Sequence, residues 1–157
     1  MPFIDGDDLH PLSNVEKMTR GKPLTDEDRE PWLEVIRRTA KRVAKEEMGR
    51  EEGERQLRGV VVVCSALKRY YREILRGRAN ESGAIPVYFV FIDGPREVLM
   101  ERMEKRVGHF MKASMVDCQL ATLESPVGED GVVVVPLTDT TEEQTRIAVG
   151  AFGGSLK

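Results

Sequence analysis

The stretch Gly59–Ser65, GVVVVCS, decides the fold. Its β-branched residues follow one another without polar alternation, which predicts a strand buried on both faces of a parallel sheet. Working outward, PFI at Pro2–Ile4 reads as the tail of a strand. IPVYFVFID at Ile85–Asp93 reads as another buried strand, closed by Gly94 and Pro95, and GVVVVPL at Gly131–Leu137 as a last one. Helical patterns lie between them. Ser13 to Glu16 has the form of a capping box, and Gly21 of a helix stop. Thr25 can cap a second helix, with Asp26, Glu27 and Asp28 in its first turn and Leu33, Ile36, Ala40, Val43 and Ala44 on one apolar face. Charge dominates from Lys45 to Arg58, as in a solvated helix end and loop. Ser65 is positioned to cap ALKRYYREILRG, where Leu67, Tyr71, Ile74 and Leu75 share a face. REVLMERMEKR, with Leu99 and Met103 one turn apart, reads as helix up to an interruption at Gly108. HFMKASMVDCQLATLE and TTEEQTRIAVGAF read as the last two helices. Strands separated by helices predict an α/β protein: one domain over residues 1–157, a parallel sheet flanked by helices.

The totals narrow the function classes. A chain of 157 residues with 40% hydrophobic and 32% charged residues suits one globular domain. A net charge of -3 lacks the basic footprint of a general nucleic-acid binder. Cys64 and Cys118 form neither a metal motif nor a disulfide framework, so a reducing, cytoplasmic setting is expected. No apolar run reaches the roughly 20 residues of a membrane span, and no secretory leader is apparent.

In a parallel α/β sheet, ligands bind beyond the carboxyl ends of the strands. Two strands end there in polar residues: Ile4 runs into DGDD, and Val63 into CSALK. Asp5, Asp7 and Asp8 crowd like charges that repel. A cation or a proton-transfer task accounts for them, and so does an exposed Asp-Gly-Asp turn.

Five segments then stand in order: DGDDLHP at Asp5–Pro11, EKM at Glu16–Met18, GKPLTDEDREPWL at Gly21–Leu33, CSALKRYYR at Cys64–Arg72, and GHF at Gly108–Phe110. As a set, across nearly the whole chain, they resemble the gluconokinases, P-loop kinases that phosphorylate D-gluconate with ATP. The resemblance implies a P-loop NTPase architecture like that of nucleoside-monophosphate kinases, a substrate-binding helical region over 13–58, and a lid over 100–125. It implies Asp7 as the carboxylate that takes the proton of the attacking hydroxyl, and Asp5 near Mg²⁺ through water. It implies His10, Lys17 and Arg29 as gluconate contacts, since a guanidinium grips a carboxylate with two bonds. Ser65, Lys68 and Arg72 are further substrate candidates, with a helix cap and a coated helix surface as their alternatives. Arg102 and Arg106, one turn apart, would close over ATP and stabilise the transferred charge, or else pair with Glu97, Glu101 or Glu104. His109 and Lys112 would meet the substrate on closure about a Gly108 hinge. Trp32 reads as a packing anchor, Cys64 as a small core residue, and Asp8 as exposed.

The family's first strand and its G-x-x-x-x-G-K-[ST] loop have no counterpart here. RGKP at Arg20–Pro23 places Pro23 where the hydroxyl residue belongs. That loop cradles the triphosphate and holds Mg²⁺. ATP and Mg²⁺ are thus implied by the family while the residues that bind them are missing, and catalysis by these residues alone is expected near background. Two alternatives stay open: a non-catalytic gluconate- or partner-binding protein, and a kinase acting on another aldonic acid. The sequence also leaves a homodimer open.

Overall fold

The computed structural model describes residues 1–49, 58–77, 84–105 and 114–154. In chain order these form β1 (Phe3–Asp5), a short 3₁₀ helix (Gly6–Leu9), α1 (Leu12–Thr19), α2 (Asp26–Met48), β2 (Val61–Val63), α3 (Arg69–Arg76), β3 (Phe89–Asp93), α4 (Arg96–Lys105), α5 (Ser114–Thr122), β4 (Val132–Pro136) and α6 (Thr141–Phe152). Both strand pairings are parallel. β1 aligns Phe3 with Val61 and Asp5 with Val63 of β2; β3 aligns Phe89 with Val132 and Asp93 with Pro136 of β4. The α/β reading therefore holds.

The reading of β2 as buried on both faces does not. Among the described residues the strands form two separate two-stranded sheets. Val62 packs on the core, while Val61 is 43% and Val63 53% exposed. β3 behaves alike, with Val90 and Ile92 exposed. A valine run reports β propensity; whether each face is covered depends on neighbours that the run itself does not encode.

Local signals held where their partners are local. Thr25 caps α2 in a reciprocal box: its amide donates to the Asp28 carboxylate (2.8 Å), and its hydroxyl accepts from the Asp28 amide (3.4 Å). Gly21 takes φ +75° just past α1 and closes that helix, as expected. Two expected caps are absent. α1 begins at Leu12 with Pro11 as its cap residue, and the Pro11 carbonyl takes the Asn14 and Val15 amides, so Ser13 lies inside the helix and makes no box. α3 begins at Arg69, so Ser65 does not cap it. The Arg69 amide is satisfied instead by the Glu124 carboxylate at 2.6 Å.

The core lies between α2 and α3. Trp32, Leu33 and Ile36 meet Leu67, Tyr71 and Leu75, with Leu9, Val62, Ile74, Phe89 and Leu123 packed around them. Arg72, only 2% exposed, sits inside this assembly. Its guanidinium donates to the backbone carbonyls of Ala66 (2.7 Å), Leu67 (3.2 Å) and Glu124 (3.0 Å), and to both Glu129 carboxylate oxygens (3.0 and 2.6 Å). Arg76 adds a bond to the Asp130 carbonyl and stacks over Phe89. Thus α3 fastens the β1–β2 side of the molecule to the segment leading into β4.

Removing one member of a buried ion pair leaves the other charge without compensation. Glu129→Gln should therefore cost on the order of 3 kcal/mol at pH 7, seen as a lower melting temperature. Arg72 also holds the Glu129 carboxyl below its usual range. This contribution is present above the ordinary glutamate value and is lost as pH falls through the depressed one. The melting curves of parent and variant should accordingly converge in acid.

Candidate active site

The carboxyl end of β1 turns directly into the 3₁₀ helix, and Gly6 permits the turn. A Cβ on Gly6 would lie 2.6 Å from the Val63 carbonyl oxygen, so only glycine lets this turn approach β2 so closely. Asp5 caps the turn by accepting from the Asp7 amide at 3.0 Å. The Asp-Gly-Asp turn chemistry is therefore realised, and one Asp5 oxygen is engaged in it.

Trp32 braces the same turn from α2. Its indole N–H donates to the Gly6 carbonyl at 2.7 Å, and its ring stacks on His10 with centroids 4.1 Å apart and planes 13° from parallel. The packing role expected of Trp32 is what it performs. His10 is held below its ordinary value near 6.5, mainly by burial, with Asp7 opposing and Arg29 reinforcing the shift. Asp7, His10 and Arg29 thus share one electrostatic neighbourhood, which carries a neutral imidazole at pH 7.

The cations singled out in the sequence meet different ends. Lys17 pairs with Asp28. Lys68 donates to both oxygens of Asp26 (2.8 and 2.7 Å), and the Tyr71 hydroxyl donates to the same carboxylate. Arg72 is consumed by the ties described above, so neither of its expected settings, on a substrate or on a helix surface, matches its burial. Arg29 differs. It is 6% exposed, its guanidinium lies 5.8 Å from the Tyr71 ring centroid, and its buried Nη1 has no hydrogen-bond partner. A buried donor without an acceptor costs about 1–3 kcal/mol, so an unsatisfied one beside a candidate site marks a position where an anionic oxygen would be stabilised.

Other expected residues lie apart. Arg102 donates to the Leu137 carbonyl at 2.8 Å, at the end of β4. Ser65 is half-buried in the loop between β2 and α3. Arg106, Gly108, His109 and Lys112 fall outside the described residues, and with them the centre of the expected lid. Burial, chiefly, pushes the Cys64 thiol up to about 12, so it is an inert core group as expected. A cavity of about 550 Å³ opens beside Asp26, Lys68, Tyr71, Cys118 and Thr122, next to the Lys68–Asp26 pair and not at Asp7. Among the described residues no cluster of three or more His, Cys, Asp or Glu could hold a metal, and no helix is long and apolar enough to cross a membrane.

Sequence reasoning missed Asn14. It is 3% exposed and donates to the Asp28 carbonyl (2.9 Å) beside His10. It likewise took Asp26 and Asp28 only as helix-start acids, when both also neutralise cations from other elements. Neither partner lies within one helical turn, so no local signal was available.

Parallel strands flanked by helices, with an acidic turn at the end of β1, match the P-loop kinase fold, to which structurally similar sugar kinases belong. No family model matches the chain. It is 41% identical over 144 residues to a Schizosaccharomyces pombe protein named "Probable gluconokinase", covering 92% of this chain and 70% of that one. It is 44% identical over 133 residues to the gluconokinase of Gluconobacter oxydans, covering 85% and 66%. The crystal structure of a gluconokinase from Sinorhizobium meliloti 1021 superposes with a TM-score of 0.74 at 42% identity, covering 99% of this chain and 78% of that one. The chain belongs to the gluconokinase family, and spans about two thirds of the length of the curated relatives it matches.

The depressed His10 value has a thermodynamic consequence. Above about 6.5 the ring is neutral both folded and unfolded. As pH falls below that, the unfolded chain takes up a proton that the folded ring resists, so stability drops until the folded value is passed. Urea unfolding of the parent chain and of His10→Gln should show the parent losing more stability between pH 7.5 and pH 5, because only the parent carries the buried imidazole.

Proposed function

We propose that this chain forms the acceptor-substrate half of an ATP-dependent gluconate kinase, seating D-gluconate for conversion to 6-phospho-D-gluconate. The observation that carries the reading is the orphaned Nη1 of buried Arg29 in the neighbourhood of Asp7 and His10. A sugar acid supplies the matching groups: a carboxylate for the guanidinium, and a hydroxyl for a carboxylate acting as proton acceptor. Arg29 takes the substrate carboxylate. Asp7 accepts the proton of the hydroxyl that attacks. Trp32 and Gly6 hold the Asp7 turn rigid, so that little positional freedom is lost on binding. Lys17 and Lys68, already paired with Asp28 and Asp26, set the position of the α2 amino terminus that carries Arg29.

The family's chemistry calls for ATP and Mg²⁺, which would supply the transferred phosphoryl group. The described residues do not fit that pair. No G-x-x-x-x-G-K-[ST] segment occurs in the sequence, an Asp5 oxygen serves the turn, and Arg102 serves the Leu137 carbonyl. Gluconate binding is therefore the activity proposed for these residues, with phosphoryl transfer reserved for a chain that also carries a triphosphate cradle.

Two variants separate the roles. Arg29→Met removes an unsatisfied buried donor, so its melting temperature without ligand should match or exceed the parent's. Its calorimetric affinity for gluconate should fall by about tenfold or more, the loss of one charged hydrogen-bonded contact. Unchanged affinity would remove the assignment. Asp7→Asn, placed in a chain bearing the nucleotide loop, should keep gluconate affinity within a few-fold and lower kcat by about 10²–10⁴.

A further inference from the structure

The orientation of Asn14 fixes the chemistry of His10. Asn14 is buried, and its Nδ2 stands 2.9 Å from the Asp28 backbone carbonyl. A carbonyl oxygen only accepts, so the amide nitrogen and not Oδ1 must face it. The same Nδ2 lies 3.4 Å from His10 Nδ1. An amide nitrogen carries two hydrogens and accepts nothing. One hydrogen serves the carbonyl, and the other faces a ring nitrogen that must therefore be the acceptor. A neutral imidazole accepting at Nδ1 carries its proton on Nε2.

We infer that Asn14 is a positioning residue that holds His10 as the Nε2–H tautomer, so that His10 meets the substrate as a hydrogen-bond donor and not as a base. The substrate contact rests on the sugar-acid reading given above; the tautomer does not. Two observations agree with the assignment. Stacking on Trp32 fixes the plane of the ring. Burial keeps it neutral. The consequence is a division of labour. His10 and Arg29 offer only donors, and Asp7 offers the acceptor. Oxygens that carry charge or lone pairs are gripped by the first two, and the hydroxyl that must lose a proton is left to the third. A ligand whose carboxylate is replaced by a neutral donor group would meet donors with donors and be rejected.

The test is long-range ¹H–¹⁵N correlation on the whole chain with ¹⁵N-labelled histidine at pH 8. The chain has 2 histidines, so a His109→Gln sample identifies the His10 signals. His10 is expected to show a pyrrole-type Nε2 and a pyridine-type Nδ1. A predominant Nδ1–H form, or fast averaging between the two, would overturn the inference without any variant being needed. In Asn14→Asp the introduced carboxylate can only accept. The proton should move to Nδ1, the ring should titrate at higher pH, and gluconate should bind about tenfold more weakly. A folded Asn14→Asp chain with the parent's tautomer would equally overturn the role of Asn14. Gluconate added to the parent chain should shift Nε2–H while leaving it protonated. If calorimetry records binding and the His10 signals do not move, the donor role falls. If gluconate does not bind at all, the sugar-acid reading falls, and the tautomer measured in its absence still decides what Asn14 does.

Discussion

The structure depends on one buried guanidinium. The β1–β2 and β3–β4 sheets share no hydrogen-bonded edge among the described residues, so their relative placement rests on what lies between them. Arg72 fills that position, bonding the carbonyls that follow β2 on one side and Glu124 and Glu129 on the other. Desolvating a guanidinium is costly, and the cost is met only because several acceptors converge on it with good geometry. Its planar fork suits this: Nε and Nη2 grip one carboxylate while Nη1 reaches two carbonyls, which the point charge of a lysine could not do. The Glu124 carboxylate that closes the amino end of α3 and the Glu124 amide bonded to the Leu67 carbonyl continue the same seam.

This seam also explains what could be read from the sequence. The strands, the helices, the Thr25 cap and the Gly21 stop were legible because each is specified within a few residues. The Ser13 box and the Ser65 cap failed for different reasons. Pro11 starts α1 early enough to place Ser13 inside it. α3 starts only at Arg69, beyond the reach of a Ser65 cap, and a carboxylate 55 positions away takes the Arg69 amide. The role of Arg72 was hidden for the same reason, since Glu129 lies 57 positions from it. The family resemblance marked these residues as belonging together but gave no means of telling a tie from a ligand contact. Burial and partner geometry make that distinction.

Applied to the remaining cations, the same criterion separates the site. Acids at the start of α2 favour the helix by their charge alone, and two of them do more. Asp28 holds Lys17 from α1, and Asp26 holds Lys68 and Tyr71 at the start of α3. Each of these lysines is neutralised by a residue of the GKPLTDEDREPWL segment. Arg29, one position beyond Asp28, is buried by the same packing with a donor left over. The segment therefore uses its acids to anchor its neighbours and keeps its single arginine buried near Tyr71, within electrostatic reach of His10. Without the anchors, that arginine would have no fixed position from which to recognise anything.

The geometry of the turn completes this logic. Asp7 can act on a hydroxyl only if it is held still, and a three-residue strand ending in a 3₁₀ helix is not rigid by itself. Trp32 supplies the rigidity at two points, by a hydrogen bond to Gly6 and by a ring laid flat on His10. Because Trp32 lies one turn of α2 beyond Asp28 and Arg29, the same helix carries the brace, the anchor of α1 and the guanidinium whose Nη1 has no partner. Any displacement of α2 would therefore move the proposed proton acceptor, the stacked imidazole and the proposed carboxylate grip together. The site behaves as one face of a single helix with a strand end fastened to it, which is why its parts keep their mutual geometry although the sheets beside it have exposed faces.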